Sequence, residues 1–334
     1  MRGLVLGKFL PPHLGHEYLF QFARRACEQV DIVVASLAAE PISGAMRHGW
    51  VKELAPWARV WHLSDELPSY PHEHPDFWAL WKASLTRLLP EPPDLVFSSE
   101  DYGEELARCL GAEHVPVDPS RSRFPISGLQ ARQNPWESWA YLPPCVRAHY
   151  ALRVALVGPE STGKSTLAER LAGHFQTAWV PEYARFYLDW RNARRPVEGI
   201  CRPQDIPFIA RGQLASEEAL ARQCNRLLFC DTDLNTTVLW SRHFFGDCPD
   251  NVARLALEQR YDLTLLCQVD VPWVADPQRD QPHQREEFLE RFRAAYRQRG
   301  PIELKGTYEQ RFQTACQLVG ELLSSKQKGS LTCS

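Results

Sequence analysis

Short apolar runs recur through the first half of the chain: LVLG (4–7), IVVASL (32–37), VWHLSD (60–65), DLVFSSE (94–100) and HVPVD (114–118). Amphipathic stretches separate them. Leu19, Phe22, Ala23 and Ala26 fall at helical spacing, which predicts that HEYLFQFARRACEQ (16–29) is a helix with one buried face and His16 near its start. Strands alternating with such helices are the rhythm of βαβ units and a parallel sheet. The paired prolines of YLPPCVRAHY (141–150) interrupt it. RVALVG (153–158) restarts it, followed by LLFCDTD (227–233), DLTLLCQVD (262–270) and helices over 164–174, 207–226, 284–299 and 307–323. The pattern predicts an α/β protein of two domains, 1–145 and 151–325, with a solvated tail, KQKGSLTCS, over 326–334.

A length of 334 residues suits two domains of roughly 150 residues each. The net charge of -3 offers no general attraction for nucleic acid, which is not expected as a partner. Ten cysteines without a C-x-x-C pair are expected to be reduced thiols in a cytoplasmic protein. Lys8, Pro11 and Pro12 break the first apolar stretch, so it is neither a signal peptide nor a membrane span, and no other run approaches membrane length. A homo-oligomer is left open. PISG occurs at 41–44 and again at 125–128, but the next arginines, Arg47 and Arg132, follow at different distances, and the echo is read as chance.

Ligands of parallel sheets bind beyond the carboxyl ends of the strands, and the loop after the first strand is the usual phosphate site. Here that loop is GKFLPPHLGH (7–16). Gly7 lets backbone approach a ligand, Lys8 offers a cation, the prolines stiffen the turn, and the helix start adds partial positive charge. From it His13 and His16 can donate hydrogen bonds to a phosphate in transfer. The bland alternative is that backbone groups satisfy both rings. A zinc pair is a poor option, because no third ligand stands nearby.

A second phosphate signature, GPESTGKST (158–166), follows strand RVALVG and precedes a helical stretch, as G-x-x-x-x-G-K-[ST] requires. Gly158 and Gly163 permit the loop, Lys164 reaches the β/γ oxygens of ATP, Ser165 ligates Mg²⁺ and Thr166 completes the ATP-binding stretch. The absence of an N-K-x-D motif argues against a GTPase and leaves a small-molecule kinase. Asp231 ends an apolar strand where a second carboxylate holds Mg²⁺, or is only a strand-end residue; Asp233 follows as a substrate candidate. In VPEYARFY (180–187), Glu182 either meets a ribose hydroxyl and takes its proton or pairs with Arg185, and Tyr183 is a further substrate candidate. Arg279 and Arg285 sit where a kinase carries a lid over ATP, with a solvated surface as the alternative.

The pattern G-x-F-x-P-x-H-x-G-H resembles the HxGH signature of the nucleotidyltransferase superfamily, which implies ATP contacts at Gly7, Lys8 and Phe9. Residues 98–142, with ISGLQAR (126–132), are similar to the NMN adenylyltransferase domain of the bifunctional NadR-type proteins. That likeness implies that Ser127, Gly128 and the amides after them face a triphosphate and that Arg132 reaches a phosphate. Leu129 departs from the family's Thr, so one hydroxyl contact is missing. EHPDFWALWKASL (73–85) also resembles this family; Trp78 and Trp81 are either core residues or a stacking platform for nicotinamide.

VPEYAR, IARGQ (209–213), DTDLNTT (231–237), YDLTLLCQVDVPWV (261–274) and KGTYEQRF (305–312) resemble the ribosylnicotinamide kinase half of the same proteins. The resemblance implies a Rossmann-like HxGH domain followed by a P-loop kinase domain. It further implies ATP as substrate with Mg²⁺, phosphorylation of nicotinamide riboside to NMN, and adenylyl transfer to NMN giving NAD and pyrophosphate. Rival readings keep the scaffold but change the acceptor to pantetheine phosphate or a deoxynucleoside, or make the chain a sensor of NAD precursors. Some family members carry an N-terminal helix-turn-helix domain, for which the first strand, at residue 4, leaves no room.

Overall fold

Two five-stranded sheets, each wholly parallel, organise the chain. The computed structural model describes residues 1–194, 201–274 and 284–329. The chain divides into two units between Val146 and Arg147.

The N-terminal unit carries strands β1 (Arg2–Gly7), β2 (Gln29–Ala35), β3 (Arg59–Leu63), β4 (Leu95–Ser98) and β5 (Glu113–Pro116), in the order β3-β2-β1-β4-β5. Its helices are α1 (Leu14–Ala26), α2 (Gly44–Leu54), α3 (Phe77–Leu88), α4 (Tyr102–Leu110) and α5 (Gly128–Gln133); α6 (Pro144–Tyr150) contains the division. Successive strand residues face opposite sides, so the apolar runs serve two cores. Val5, Ile32, Val34 and Phe97 pack with Leu19, Phe20 and Ala23 of α1, while Leu4, Leu6, Val33 and Val96 pack with Leu85 of α3 and Leu106 of α4. The buried stripe of α1 differs from the predicted one. Phe20, not Phe22, enters the core, and Phe22 stays 39% exposed. The helix also stops at Ala26 rather than 29, because Gln29 already pairs with Arg2 across the sheet.

The second unit has β6 (Leu152–Val157), β7 (Ala178–Val180), β8 (Leu227–Asp231), β9 (Leu263–Cys267) and β10 (Ile302–Leu304), ordered β10-β9-β6-β8-β7. Its helices are α7 (Lys164–His174), α8 (Tyr183–Arg194), α9 (Ile206–Ala221), α10 (Leu234–Phe245), α11 (Asp250–Glu258), α12 (Arg285–Tyr296) and α13 (Tyr308–Gly329). Ala155, Val157 and Leu266 pack on Phe288, Leu289 and Phe292 of α12. The edge strands β7 and β10 have three residues each, too few for an apolar run to announce them. The last helix runs past the predicted end at 323, through the start of the expected tail, and Lys326 pairs with Asp262 at 3.3 Å. No helix among the described residues is long and apolar enough to cross a membrane.

Candidate active sites

The chain order reverses between β1 and β4, which places the crevice of the first sheet at the carboxyl end of β1. There Phe9 adopts a left-handed backbone (φ 45°) and drives its ring into the core, edge-on to His16 (5.0 Å) and Phe20 (5.2 Å). A Cβ on Gly7 would lie 2.9 Å from that ring. Gly7 thus makes room for the Phe9 ring, and the Phe9 side chain, 3% exposed, belongs to the core.

His13 caps α1, its carbonyl accepting the His16 (2.8 Å) and Glu17 (3.1 Å) amides, while its own amide donates to His16 Nδ1 at 3.2 Å. The two rings stack with centroids 3.7 Å apart. Because His16 Nδ1 accepts, the neutral ring carries its proton on Nε2, which remains as a donor. Burial, and then the Arg121 guanidinium, pull His13 down to about 4; burial, His13 and Arg121 hold His16 well below its ordinary value. The pair is therefore neutral near pH 7, and His13 Nδ1 is buried without a hydrogen-bond partner. No group of three or more His, Cys, Asp or Glu suited to a metal ion occurs among the described residues.

The two PISG segments play the same local part. Ser43 caps α2 by accepting the Met46 amide (3.3 Å), and Ser127 caps α5 by accepting the Gln130 amide (3.2 Å), with Gln130 Oε1 accepting the Ser127 amide in return (2.9 Å). Each capped helix then sends an arginine to the β1–α1 loop. Arg132 donates to the Leu10 carbonyl at 2.8 Å, and the fully buried Arg47 donates to the Lys8 carbonyl. Arg47 also donates to Ala35 and Ile42 carbonyls and pairs with Glu40. Lys8 itself is engaged, by Glu40 at 3.0 Å and Ser69 at 2.9 Å. Gly128, at the head of α5, stands beside the Leu10 carbonyl, while Leu129 is 53% exposed. Trp81 borders a small cleft with Lys8, Ser36, Asp65 and Ser69, and donates to the Pro68 carbonyl (3.0 Å). Trp78 packs edge-on to Phe77 (4.9 Å) against the apolar core.

In the second unit the P-loop joins β6 to α7. Gly158 (φ 138°) is required there, since a Cβ would fall 2.6 Å from the Cys267 carbonyl oxygen, and Gly163 is also left-handed (φ 80°). Lys164 Nζ donates to the carbonyls of Gly158 (2.9 Å) and Pro159 (2.8 Å). Arg285 donates to the Ser161 carbonyl (3.0 Å) and to Val271 (3.1 Å), so it braces the loop instead of projecting from a lid. Arg279 lies outside the described residues. A second brace went unread in the sequence: buried Arg311 of α13 donates to the Thr162 carbonyl (2.7 Å).

Lys164, Ser165, Thr166 and Glu182 line one cleft, together with Gln213 of α9 and Trp240 of α10. Asp231 is buried beside Ser165 and Lys164, and its carboxylate Oδ1 has no hydrogen-bond partner. Burial and then the Glu182 charge raise the Asp231 carboxyl above its ordinary range, against the opposing pull of Lys164 and Ser165. A hydroxyl and an orphaned carboxylate oxygen at a phosphate loop are a donor set that suits Mg²⁺.

Two expected substrate residues are spent elsewhere. Asp233, 1% exposed, caps α10 through the Thr236 amide (2.9 Å) and hydroxyl (3.0 Å) and accepts from Tyr296. Tyr183 rests its ring on Gly212 and gives its amide to Gln213 (3.1 Å), leaving the cleft to Glu182, Ala184 and Arg185. Trp240 and Phe244 were missed, although their spacing of four in VLWSRHFF marks one helix face; the rings stack at 5.4 Å.

Residues 153–311 match the protein family described as AAA domain. The "Trifunctional NAD biosynthesis/regulator protein NadR" of Escherichia coli (strain K12) is 32% identical over 297 residues, covering 82% of this chain and 70% of that protein. The protein so named from Salmonella typhimurium is 32% identical over 299 residues, with the same shares. Among solved structures, NadR protein in complex with NR superposes with a TM-score of 0.75 at 21% identity, covering 96% of this chain and 95% of that one. NadR protein in complex with NAD and AMP-PNP gives 0.71 at 21% identity over the same shares.

Proposed function

The chain belongs to the NadR family, and from that membership we propose that it makes NAD in two steps, one in each unit. The second unit phosphorylates nicotinamide riboside with ATP to give NMN. The N-terminal unit joins NMN to the AMP moiety of another ATP, releasing pyrophosphate. The observation that carries this reading is the presence, in one chain of this family, of two separate phosphate-handling loops: the stacked His13–His16 pair after β1 and the P-loop after β6. ATP is a substrate of both steps.

In the kinase step the riboside 5′-hydroxyl attacks the γ-phosphorus of ATP. Glu182, in the cleft with the P-loop, takes the hydroxyl proton or orients the ribose. Lys164 turns from the Gly158 and Pro159 carbonyls to the phosphate oxygens, where its charge offsets that of the transferring group. Ser165 and Asp231 would hold Mg²⁺, which supplies further neutralisation of phosphate charge. Arg285 and Arg311 keep the loop carbonyls turned outward, so that its amides face the ligand.

In the transfer step the NMN phosphate attacks the α-phosphorus. His16 donates from Nε2 to the phosphate in transfer, and His13, whose Nδ1 waits unpartnered, is the second imidazole there. Ser127, Gly128 and Arg132 meet the triphosphate on the other side of the loop. Trp81, beside Lys8 and Ser69, offers a face for the nicotinamide ring of NMN, and Trp78 backs it from the core.

Incubation with Mg-ATP and nicotinamide riboside, followed by mass spectrometry, tests the reading. NMN and then NAD should accumulate. If neither appears, or if pantetheine phosphate or a deoxynucleoside is consumed in preference, the assignment fails.

A further inference from the structure

Glu217 lies on α9 one turn beyond Gln213 and is 1% exposed. Its Oε1 accepts three hydrogen bonds, from Gln213 Nε2 (3.3 Å), Gln259 Nε2 (3.0 Å) and the Tyr261 hydroxyl (2.8 Å), while Oε2 meets Arg153 at 3.3 Å. The two glutamines share one arrangement. Gln213 Oε1 accepts the amide of Tyr183, the first residue of α8 (3.1 Å), and Gln259 Oε1 accepts the amide of Leu234, the first residue of α10 (3.1 Å).

Those first-turn amides have no partner within their own helices. A glutamine amide can present either its oxygen or its nitrogen, but a carboxylate only accepts. Glu217 therefore turns both NH₂ groups toward itself and both carbonyls toward the helix starts. Glu182 immediately precedes α8, and Thr236 and Trp240 of α10 line the same cleft.

We propose that Glu217 is a positioning residue for the acceptor side of the kinase site: through Gln213 and Gln259 it fixes where α8 and α10 begin, and so where Glu182 and Trp240 stand. ATP is held separately, by the loop between β6 and α7. This inference rests on the kinase reading of the second unit.

The test uses the full chain with Glu217→Gln and Gln259→Met. In Glu217→Gln the new amide can donate, which releases the fixed orientation of both glutamines. kcat/KM for nicotinamide riboside should fall by roughly tenfold to a hundredfold, the scale of misplacing reacting groups by about an ångström. KM for Mg-ATP should stay within about twofold, and adenylyl transfer to supplied NMN should be unchanged. Gln259→Met, which lies outside the cleft, should raise the riboside KM and leave that for ATP alone. A purely structural role would lower kcat with both KM values constant, and that result overturns the proposal. Unchanged riboside kinetics in both variants does the same. Should Glu217→Gln lose ATP binding through misfolding, Gln259→Met decides by the same criterion. A wild-type chain that forms no NMN removes the kinase reading itself, a failure visible before any variant is compared.

Discussion

His13 and His16 stack face to face because neither is charged, and that neutrality has a measurable cost in acid. The folded-state value of His13, about 4, lies below its ordinary 6.5. Between those values the unfolded chain binds a proton that the folded chain refuses. Stability is thus complete above pH 6.5 and declines as the pH falls toward 4, by about 2 kcal/mol at pH 5 for this residue alone. His13→Asn should shrink the loss measured by urea unfolding between pH 7 and 5; an equal loss in the variant would contradict the assignment. For His16→Ala we expect NAD formation from NMN to drop by about 2.7–4 kcal/mol of transition-state stabilisation, with riboside phosphorylation intact. A transferase rate near that of wild type would make the pair structural. The histidines were legible in the sequence because their spacing is tied to a strand end. The roles of Gly7 and Phe9 were not, since a left-handed phenylalanine wedged over a glycine leaves no periodic trace.

Elements were legible where they were long and apolar on one face. β1, β6 and α7 stand close to their expected places, whereas β7 and β10 are too short to produce a pattern. Capping was the harder signal. PISG opens α2 and α5 alike, yet only in the folded chain do Arg47 and Arg132 converge on one loop from different offsets. The same blindness misassigned Asp233, whose D-x-x-T spacing to Thr236 is an N-cap. A pair of variants separates the two aspartates. Asp233→Ala should cost about 1–2 kcal/mol of stability, the range of a cap, and nearly spare kcat, any kinase effect falling on the riboside KM through the start of α10. Asp231→Asn should keep stability and lose turnover by roughly a hundredfold or more, the scale of removing a preorganised charge-stabilising group. Chemical denaturation and initial rates on both proteins check this; the reverse assignment of effects would return Asp233 to the site.

For the whole molecule, two sheets with separate cores predict that the steps can be uncoupled. Lys164→Ala should stop NMN production and leave NAD synthesis from supplied NMN at the wild-type rate. Transferase activity lost in a variant that keeps its circular dichroism would mean that the sites are shared. The strand orders carry one more consequence. Each sheet is centred on the first strand of its unit, and parallel neighbours must come from farther along the chain. β1 meets β2 early, but its other flank waits from Ala35 to Leu95; β6 ends at Val157 and has no neighbour until Leu227. At roughly 5–20 residues per second of translation, the ribosome leaves the P-loop strand unpaired for several seconds. The nascent ribbon VALV (154–157) is then the apolar segment that a holdase would meet, after the first half has already begun to close.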